Sequence, residues 1–237
     1  MDRIYQRQTL DQPKLIAHRG FAVSAPQNSL SAFRAAGERG FWAIETDVRA
    51  AGDGVLVCCH DGTVDSLYDG TGAVEAYAWA ELSRLRCRDA RTERMPLFSE
   101  YLDICRTYGA VPFLEIKTAP VAAVLAEALA RFKPEEIVLS SLRLEHLLEA
   151  RSLCEGVFLH HIFSDPEQMI HLSKLGRCGG SYKYADLKEV PPGLIEETRR
   201  RGVLVCLRAG DTPEAVRRMI AFGLDYIPTN CVTKEQL

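Results

Sequence analysis

Histidines, carboxylates and an arginine end several apolar runs in the first quarter of the chain. They are His18 and Arg19 in LIAHRG, Glu45 and Asp47 in AIETDVR, and His60 in VLVCCHD. Polar side chains at the ends of buried strands commonly project into a site. Carboxylates bind divalent cations, imidazoles transfer protons near neutral pH, and fixed cations stabilise anions. These residue types together indicate metal-assisted phosphate chemistry.

A second pair of charges occurs further along, in FLEIKT, as Glu115 and Lys117. Residues two apart on a strand share a face, so Glu45 lies with Asp47 and Glu115 lies with Lys117. Three converging carboxylates are costly to bury without a partner. Oxygen-only ligation favours Mg²⁺ or Ca²⁺ over zinc, which prefers nitrogen and sulfur. A purely structural salt-bridge network is the alternative.

The two histidines are candidates for general acid–base catalysis. His18 and His60 each end a predicted strand, and each is followed by a charged residue and a glycine. Imidazole titrates near neutral pH and is suited to this work. Arg19 can bind two phosphate oxygens, whereas Lys117 acts as a point charge. A carboxylate substrate would also be attracted, so charge alone leaves the reaction open.

Alternating strands and helices must position these groups. The predicted strands are 14–18, 43–48, 55–60, 111–117, 136–141, 157–162, 180–184, 203–208 and 226–230. The predicted helices are 29–40, 97–109, 119–132, 142–153, 192–202 and 212–223. This alternation and the length of 237 residues indicate a TIM (β/α)8 barrel. No GxGxxG motif follows the first strand, which disfavours an open nucleotide-binding sheet.

The chain reads as one domain, 1–237, with a small insertion at about residues 62–94 on the active face. A net charge of −3 predicts no nucleic-acid partner, and no segment resembles a membrane span. Eight cysteines without a CxxC pair predict buried, reduced thiols, and the polar N-terminus lacks an export signal. We therefore expect a cytoplasmic protein. A homo-oligomer remains an open possibility.

Five motifs in order and spacing resemble the glycerophosphodiester phosphodiesterase family. They read His18-Arg19-Gly20, Pro26-Gln27-Asn28-Ser29, Glu45-Thr46-Asp47, His60-Asp61 and Glu115-Ile116-Lys117. The resemblance implies a TIM barrel that cleaves glycerophosphodiesters to sn-glycerol 3-phosphate and an alcohol. It further implies a metal on Glu45, Asp47 and Glu115. His18 and His60 would then be the acid–base pair, with Arg19 and Lys117 on the phosphate of a small-molecule phosphodiester.

Four positions depart from the family pattern. Gln27 replaces the glutamate of PEN, and Asp65-Ser66-Leu67-Tyr68 stands for D-R-T-T. Leu207-Arg208-Ala209-Gly210 stands for W-T-V-N, and Asn230 replaces the aspartate of T-D. None of them replaces an expected ligand or histidine, so they bear on substrate choice. Two other activities stay open: a lyase that forms a cyclic phosphate on the same barrel, and a non-catalytic glycerophosphodiester-binding module.

Overall fold

Eight parallel strands form a nearly closed barrel in the computed structural model, which describes residues 2–237. They are β1 (Leu15–Ala17), β2 (Ala43–Ala50), β4 (Val111–Ile116), β5 (Val138–Ser141), β6 (Phe158–Ser164), β7 (Cys178–Tyr182), β8 (Val203–Cys206) and β9 (Ile227–Thr229). Their order around the barrel is β9, β1, β2, β4, β5, β6, β7, β8. The predicted TIM barrel is confirmed.

Helices follow most of the parallel strands. They are α1 (Leu30–Glu38), α2 (Trp79–Leu82), α3 (Phe98–Tyr108), α4 (Val121–Leu129), α5 (Leu144–Leu153), α6 (Pro166–Ser173), α7 (Leu194–Arg200) and α8 (Pro213–Phe222). Ser29 caps α1 by accepting from the Ala32 amide, and Gly109 and Gly223 end α3 and α8 in the left-handed conformation. The sequence analysis missed α6, since its short apolar pattern lies in a polar stretch.

Alternation along the strands divides the core in two. Ile44 and Leu114 belong to the large cluster between the sheet and the helices, whereas Ala43 and Phe113 pack inside the barrel. Residues two positions further along share the inner face, one layer nearer the strands' carboxyl ends. Glu45 follows Ala43 by two positions in this way, as Glu115 follows Phe113. The apolar inner layer is therefore the floor on which the charged layer lies.

Asp225 joins the two ends of the sheet. β8 and β9 share no ladder in the described chain; instead the Asp225 amide donates to the Val205 carbonyl at 2.8 Å, and the Asp225 carboxylate accepts from the Val205 amide at 2.8 Å. Arg199 neutralises the same carboxylate, with Nε to Oδ1 at 3.1 Å. The backbone amide and the side chain of Asp225 thus replace the missing ladder bonds and nearly close the barrel.

One further strand, β3 (Leu56–Cys58), runs antiparallel to β2. We expected it to be another strand of the parallel sheet, which is wrong: only five residues separate Ala50 from Leu56, and a parallel crossover needs a dozen or more. The chain from β3 to α3 contains the predicted insertion. It has its own apolar cluster, which includes Val64, Tyr68, Val74, Leu82 and Met95.

The eight cysteines are free thiols, and Cys154 and Cys231 are the two that are not fully buried. Burial raises the pKa of Cys59 and of Cys105 to about 12. These thiols therefore pack as small apolar side chains. Within residues 2–237, none of the helices combines the length and apolar character needed to cross a membrane.

Candidate active site

Three carboxylates meet at the carboxyl end of the barrel. Asp47 of β2 lies directly opposite Glu115 of β4 in the strand register, and Glu45 lies two residues before Asp47. One ligand oxygen from each of the three lies within 4.8 Å of the others. Glu45 is 5% exposed and Asp47 is fully buried. The structure therefore brings together the three residues that we predict to bind a metal.

Asn28 fixes the orientation of Asp47 from the loop between β1 and α1. Its Nδ2 donates to Asp47 Oδ2 at 2.8 Å, and its Oδ1 accepts from the Thr46 hydroxyl at 2.8 Å. Asn28 has a φ of 52°, a left-handed conformation that asparagine tolerates better than most residues. One buried amide thus holds β2 at the point where the carboxylates emerge. The sequence analysis quoted Asn28 within a motif without assigning it a function.

Two cations face the carboxylates. Arg19 donates its backbone N–H to Glu45 at 2.7 Å, and its Nε lies 3.4 Å from Asp47 Oδ2. Lys117 Nζ lies 3.1 Å from Asp47 Oδ1 and also hydrogen-bonds Glu115. Arg19 has a φ of 59°, so the turn after β1 aims its backbone amide into the site. Both predicted phosphate-binding residues are at the carboxylate cluster.

Gly20 allows this turn to pack against α1. A Cβ at this position would lie 2.8 Å from the Cβ and backbone carbon of Ala32, and Gly20 also has a φ of 79°. A larger residue would push the turn away from the helix and move Arg19 with it. The glycine of the His-Arg-Gly motif is therefore required by backbone geometry.

The cluster carries more negative than positive charge. Burial is the main cause that raises the pKa of Glu45 well above its usual value, and the neighbouring charges of Asp47 and Glu115 add to it. Burial followed by the Asp47 charge raises the pKa of Glu115. Burial alone would lower the pKa of Lys117, but Asp47 and Glu115 outweigh it and raise that pKa. One negative charge is in excess when three carboxylates face two cations.

The donor set fits a hard divalent cation. All three candidate ligands offer carboxylate oxygens, as Mg²⁺ and Ca²⁺ prefer. Glu45 Oε1 is buried and has no hydrogen-bond partner within residues 2–237. A buried oxygen without a partner is unfavourable, and a cation at this place would satisfy it. A divalent cation would also change the excess charge from one negative to one positive, which matches a phosphodiester monoanion.

His18 lies at the end of β1, beside the cations. Its backbone N–H donates to the Thr229 carbonyl at 3.1 Å, and its Nδ1 lies 2.8 Å from Asn230 Oδ1. Burial is the largest of the causes that lower the pKa of His18, so the neutral imidazole is favoured. The hydrogen bond at Nδ1 orients the ring.

His60 follows β3 and reaches the site because that strand turns back along β2. The Cys59 amide donates to the Asp47 carbonyl at 3.0 Å, while Arg49 donates to the His60 carbonyl from Nη2 at 2.8 Å. His60 Nδ1 lies 2.8 Å from Asp61 Oδ1. Hydrogen bonds from Ser66 and then His60 lower the pKa of Asp61. The hydrogen bond to this carboxylate orients the His60 ring.

Both histidines open onto one cavity of about 300 Å³. Arg19, Glu45, Glu115 and Lys117 line the same cavity. Its other walls come mainly from β5 to β8, namely Ser140, Leu142, His160, Ile162, Phe163, Ser181, Cys206, Leu207, Arg208 and Ala209. The sequence analysis named Asn28, Asp61 and Asn230 without giving them a function, and the structure shows that each hydrogen-bonds a predicted site residue. Their signal in the sequence was limited to their place in or near a motif.

The chain is similar in sequence to known proteins. The glycerophosphoryl diester phosphodiesterase family profile matches residues 18–234, which confirms the resemblance predicted from the motifs. A glycerophosphodiester phosphodiesterase from Caldanaerobacter subterraneus is 28% identical, over 91% of this chain and 93% of that protein. Human glycerophosphodiester phosphodiesterase 1 is 33% identical over 114 residues, 45% of this chain and 34% of the human protein.

Solved structures give the same fold. An Oleispira antarctica phosphodiesterase, solved in complex with the product sn-glycerol-3-phosphate, superposes with a TM-score of 0.82 at 23% identity, covering 94% of each chain. A glycerophosphodiester phosphodiesterase from Agrobacterium tumefaciens gives a TM-score of 0.81 at 24% identity, covering 92% of this chain and 96% of that one. At these identities the likeness concerns the barrel itself.

Proposed function

Because the chain belongs to the glycerophosphoryl diester phosphodiesterase family, we propose that it hydrolyses glycerophosphodiesters to sn-glycerol 3-phosphate and an alcohol, using a divalent cation. The observation that carries this proposal is the three-carboxylate cluster, which lies beside two histidines and two cations. Glu45, Asp47 and Glu115 would hold the cation. When bound, Mg²⁺ or Ca²⁺ supplies positive charge that polarises the phosphoryl group.

Arg19 and Lys117 are proposed to bind the phosphate. Arg19 is held by Gln27, which accepts from its Nη1 at 2.6 Å. Lys117 is held between Asp47 and Glu115. Charges fixed in this way need little rearrangement when negative charge develops on the phosphoryl oxygens, and preorganised charge is a large source of rate enhancement.

His18 and His60 are proposed to share the proton transfers. One removes a proton from the nucleophile, either water or the substrate's own hydroxyl, and the other protonates the leaving alkoxide. Nδ1 is hydrogen-bonded on both rings, to Asn230 on His18 and to Asp61 on His60. Nε2 is therefore the atom on each ring that exchanges a proton with the substrate. The many free, buried thiols also support the cytoplasm as the proposed location.

Turnover tests this proposal directly. Glycerophosphocholine and a panel of other glycerophosphodiesters are incubated with Mg²⁺, with Ca²⁺ and with EDTA, and sn-glycerol 3-phosphate is measured. We expect metal-dependent release, and kcat losses of about 100-fold or more in His18→Ala and in His60→Ala. A panel without metal-dependent turnover would contradict the proposal. An accumulating cyclic phosphate would identify the lyase, and tight binding without turnover would identify a binding module.

A further inference from the structure

A chain of hydrogen bonds runs from His18 to a carboxylate outside the expected machinery. His18 Nδ1 lies 2.8 Å from Asn230 Oδ1, and Asn230 Nδ2 donates to Asp211 Oδ2 at 2.8 Å. The Asn230 backbone N–H donates to the other oxygen of the same carboxylate, also at 2.8 Å. Asp211 lies just before α8 and does not line the cavity of about 300 Å³. It can reach His18 through Asn230.

The hydrogen-bonding capacity of the Asp211 carboxylate determines the orientation of the Asn230 side-chain amide. An ionised carboxylate only accepts hydrogen bonds, so the NH₂ group of Asn230 must face Asp211 and its oxygen must face His18. That oxygen is also only an acceptor, so His18 must carry its proton on Nδ1. The lone pair or the transferable proton is then on Nε2. This outcome is the same whether His18 begins as the base or as the acid.

We propose that Asp211 is a positioning residue which, through Asn230, keeps the proton of neutral His18 on Nδ1 and Nε2 available to the substrate. The activity part of this statement rests on the proposed function, whereas the tautomer does not. In the family pattern, the residue at position 230 is the aspartate of T-D. Here an amide occupies that position. The carboxylate that determines the orientation of this amide belongs to Asp211, the next residue in the chain of hydrogen bonds.

The main test exchanges the two side chains. In Asp211→Asn the partner can donate as well as accept, so the Asn230 amide can turn over and offer its NH₂ group to His18. In Asn230→Asp two carboxylates face each other across a hydrogen-bond distance. The double variant, Asn230→Asp with Asp211→Asn, restores one acceptor facing His18 and one donor behind it. We expect both single variants to be impaired and the double variant to recover.

Two readouts separate positioning from a merely structural function. Imidazole ¹⁵N shifts distinguish the tautomers, and the His18 signals are identified by their loss in His18→Ala. Wild type and the double variant should show Nδ1–H, and Asp211→Asn a mixture. In turnover, Asp211→Asn should lower kcat about 10- to 100-fold and change KM by no more than about threefold. The double variant should recover kcat to within about threefold of wild type. For comparison, a wrong histidine tautomer in a serine protease lowers kcat about 10⁴-fold.

Controls and opposing outcomes complete the design. Asp53→Asn is the matched control, because both carboxylate oxygens of Asp53 also accept hydrogen bonds, here from the backbone amides of Val55 and Trp79, and Asp53 does not line the cavity. If Asp211→Asn does not fold, Asn230→Ala takes its place and should also give mixed tautomers. A pure Nδ1–H signal in these variants, or a double variant no better than the singles, would overturn the inference. Loss of turnover in all proteins, wild type included, would refute the proposed function while the ¹⁵N result still stands.

Discussion

Tyr101 fills a gap in the sheet directly below the carboxylates, and Tyr101→Phe should reveal its cost. The Val111 amide donates to the Trp42 carbonyl, and the same spacing two residues further along would pair the Phe113 amide with the Ile44 carbonyl. The fully buried Tyr101 hydroxyl, from α3, donates instead to the Ile44 carbonyl at 2.6 Å and accepts from the Phe113 amide at 3.1 Å. One hydroxyl satisfies two buried backbone groups.

Removing this hydroxyl should cost more than an ordinary hydrogen bond. Each buried polar group left without a partner costs about 1–3 kcal/mol, so the pair Ile44 and Phe113 predicts about 3 kcal/mol of lost unfolding free energy. For a chain of 237 residues, this corresponds to a fall of roughly 6–12 °C in Tm. Urea unfolding followed by circular dichroism measures the free energy, and a thermal scan measures the Tm.

Tyr182→Phe provides the matched control. Tyr182 is 1% exposed, and its hydroxyl bonds the hydroxyl of Thr198, which also donates to the Leu194 carbonyl. Thr198 keeps that second bond in the variant, so we expect a loss of only about 1 kcal/mol. Equal losses in Tyr101→Phe and Tyr182→Phe would refute the reasoning. They would mean that β2 and β4 close the gap by themselves.

Three further predictions concern pH, metal and substrate. Burial lowers the pKa of His160 to about 3. Between pH 7 and 5, His160 therefore becomes protonated in the unfolded chain but stays neutral in the folded chain. The free energy of unfolding of the wild type therefore decreases as pH falls. Over this interval, the decrease in His160→Asn should be about 2 kcal/mol smaller than in the wild type, and equal decreases would contradict this. Asn28→Gly allows the left-handed backbone but removes the hydrogen bond that holds Asp47. Calorimetry should therefore give about 10- to 100-fold weaker Mg²⁺ or Ca²⁺ binding. Unchanged affinity would show that Asn28 does not position Asp47 for the cation. Arg208 lines the cavity, with its guanidinium 5.5 Å from the Phe163 ring. In Arg208→Glu, the ratio of kcat/KM for glycerophosphocholine to kcat/KM for glycerophosphoserine should rise about tenfold. Arg84→Glu should leave this ratio unchanged.

Simple strand rules predicted that the three carboxylates would meet. Alternation within β2 and β4 decides that Glu45 and Asp47 share a face, and parallel pairing then brings Glu115 opposite Asp47. The first step is local, and the second needs only that β2 and β4 be neighbours in the parallel sheet. The same reasoning was correct about His18, which ends a true barrel strand.

His60 shows where local patterns fail. We predicted it at the end of another parallel strand, yet it arrives on an antiparallel one, and the short β2–β3 turn was the signal that we missed. Asp211 and Tyr101 were out of reach for a different reason. Their partners are 19 and 57 residues away in sequence, at Asn230 and Ile44, and no periodicity connects them.

Two departures from the family pattern act in the same direction at the site. The residue in place of the PEN glutamate is Gln27, which accepts from Arg19 without cancelling its charge. The residue in place of the D-R-T-T arginine is Ser66, which donates to Asp61 without cancelling that charge either. Arg19 therefore forms its ion pair with Asp47 and meets an uncharged acceptor at position 27, while Asp61 keeps its negative charge behind His60. Because one lost family charge is negative and the other is positive, the two substitutions leave the net charge of the site unchanged.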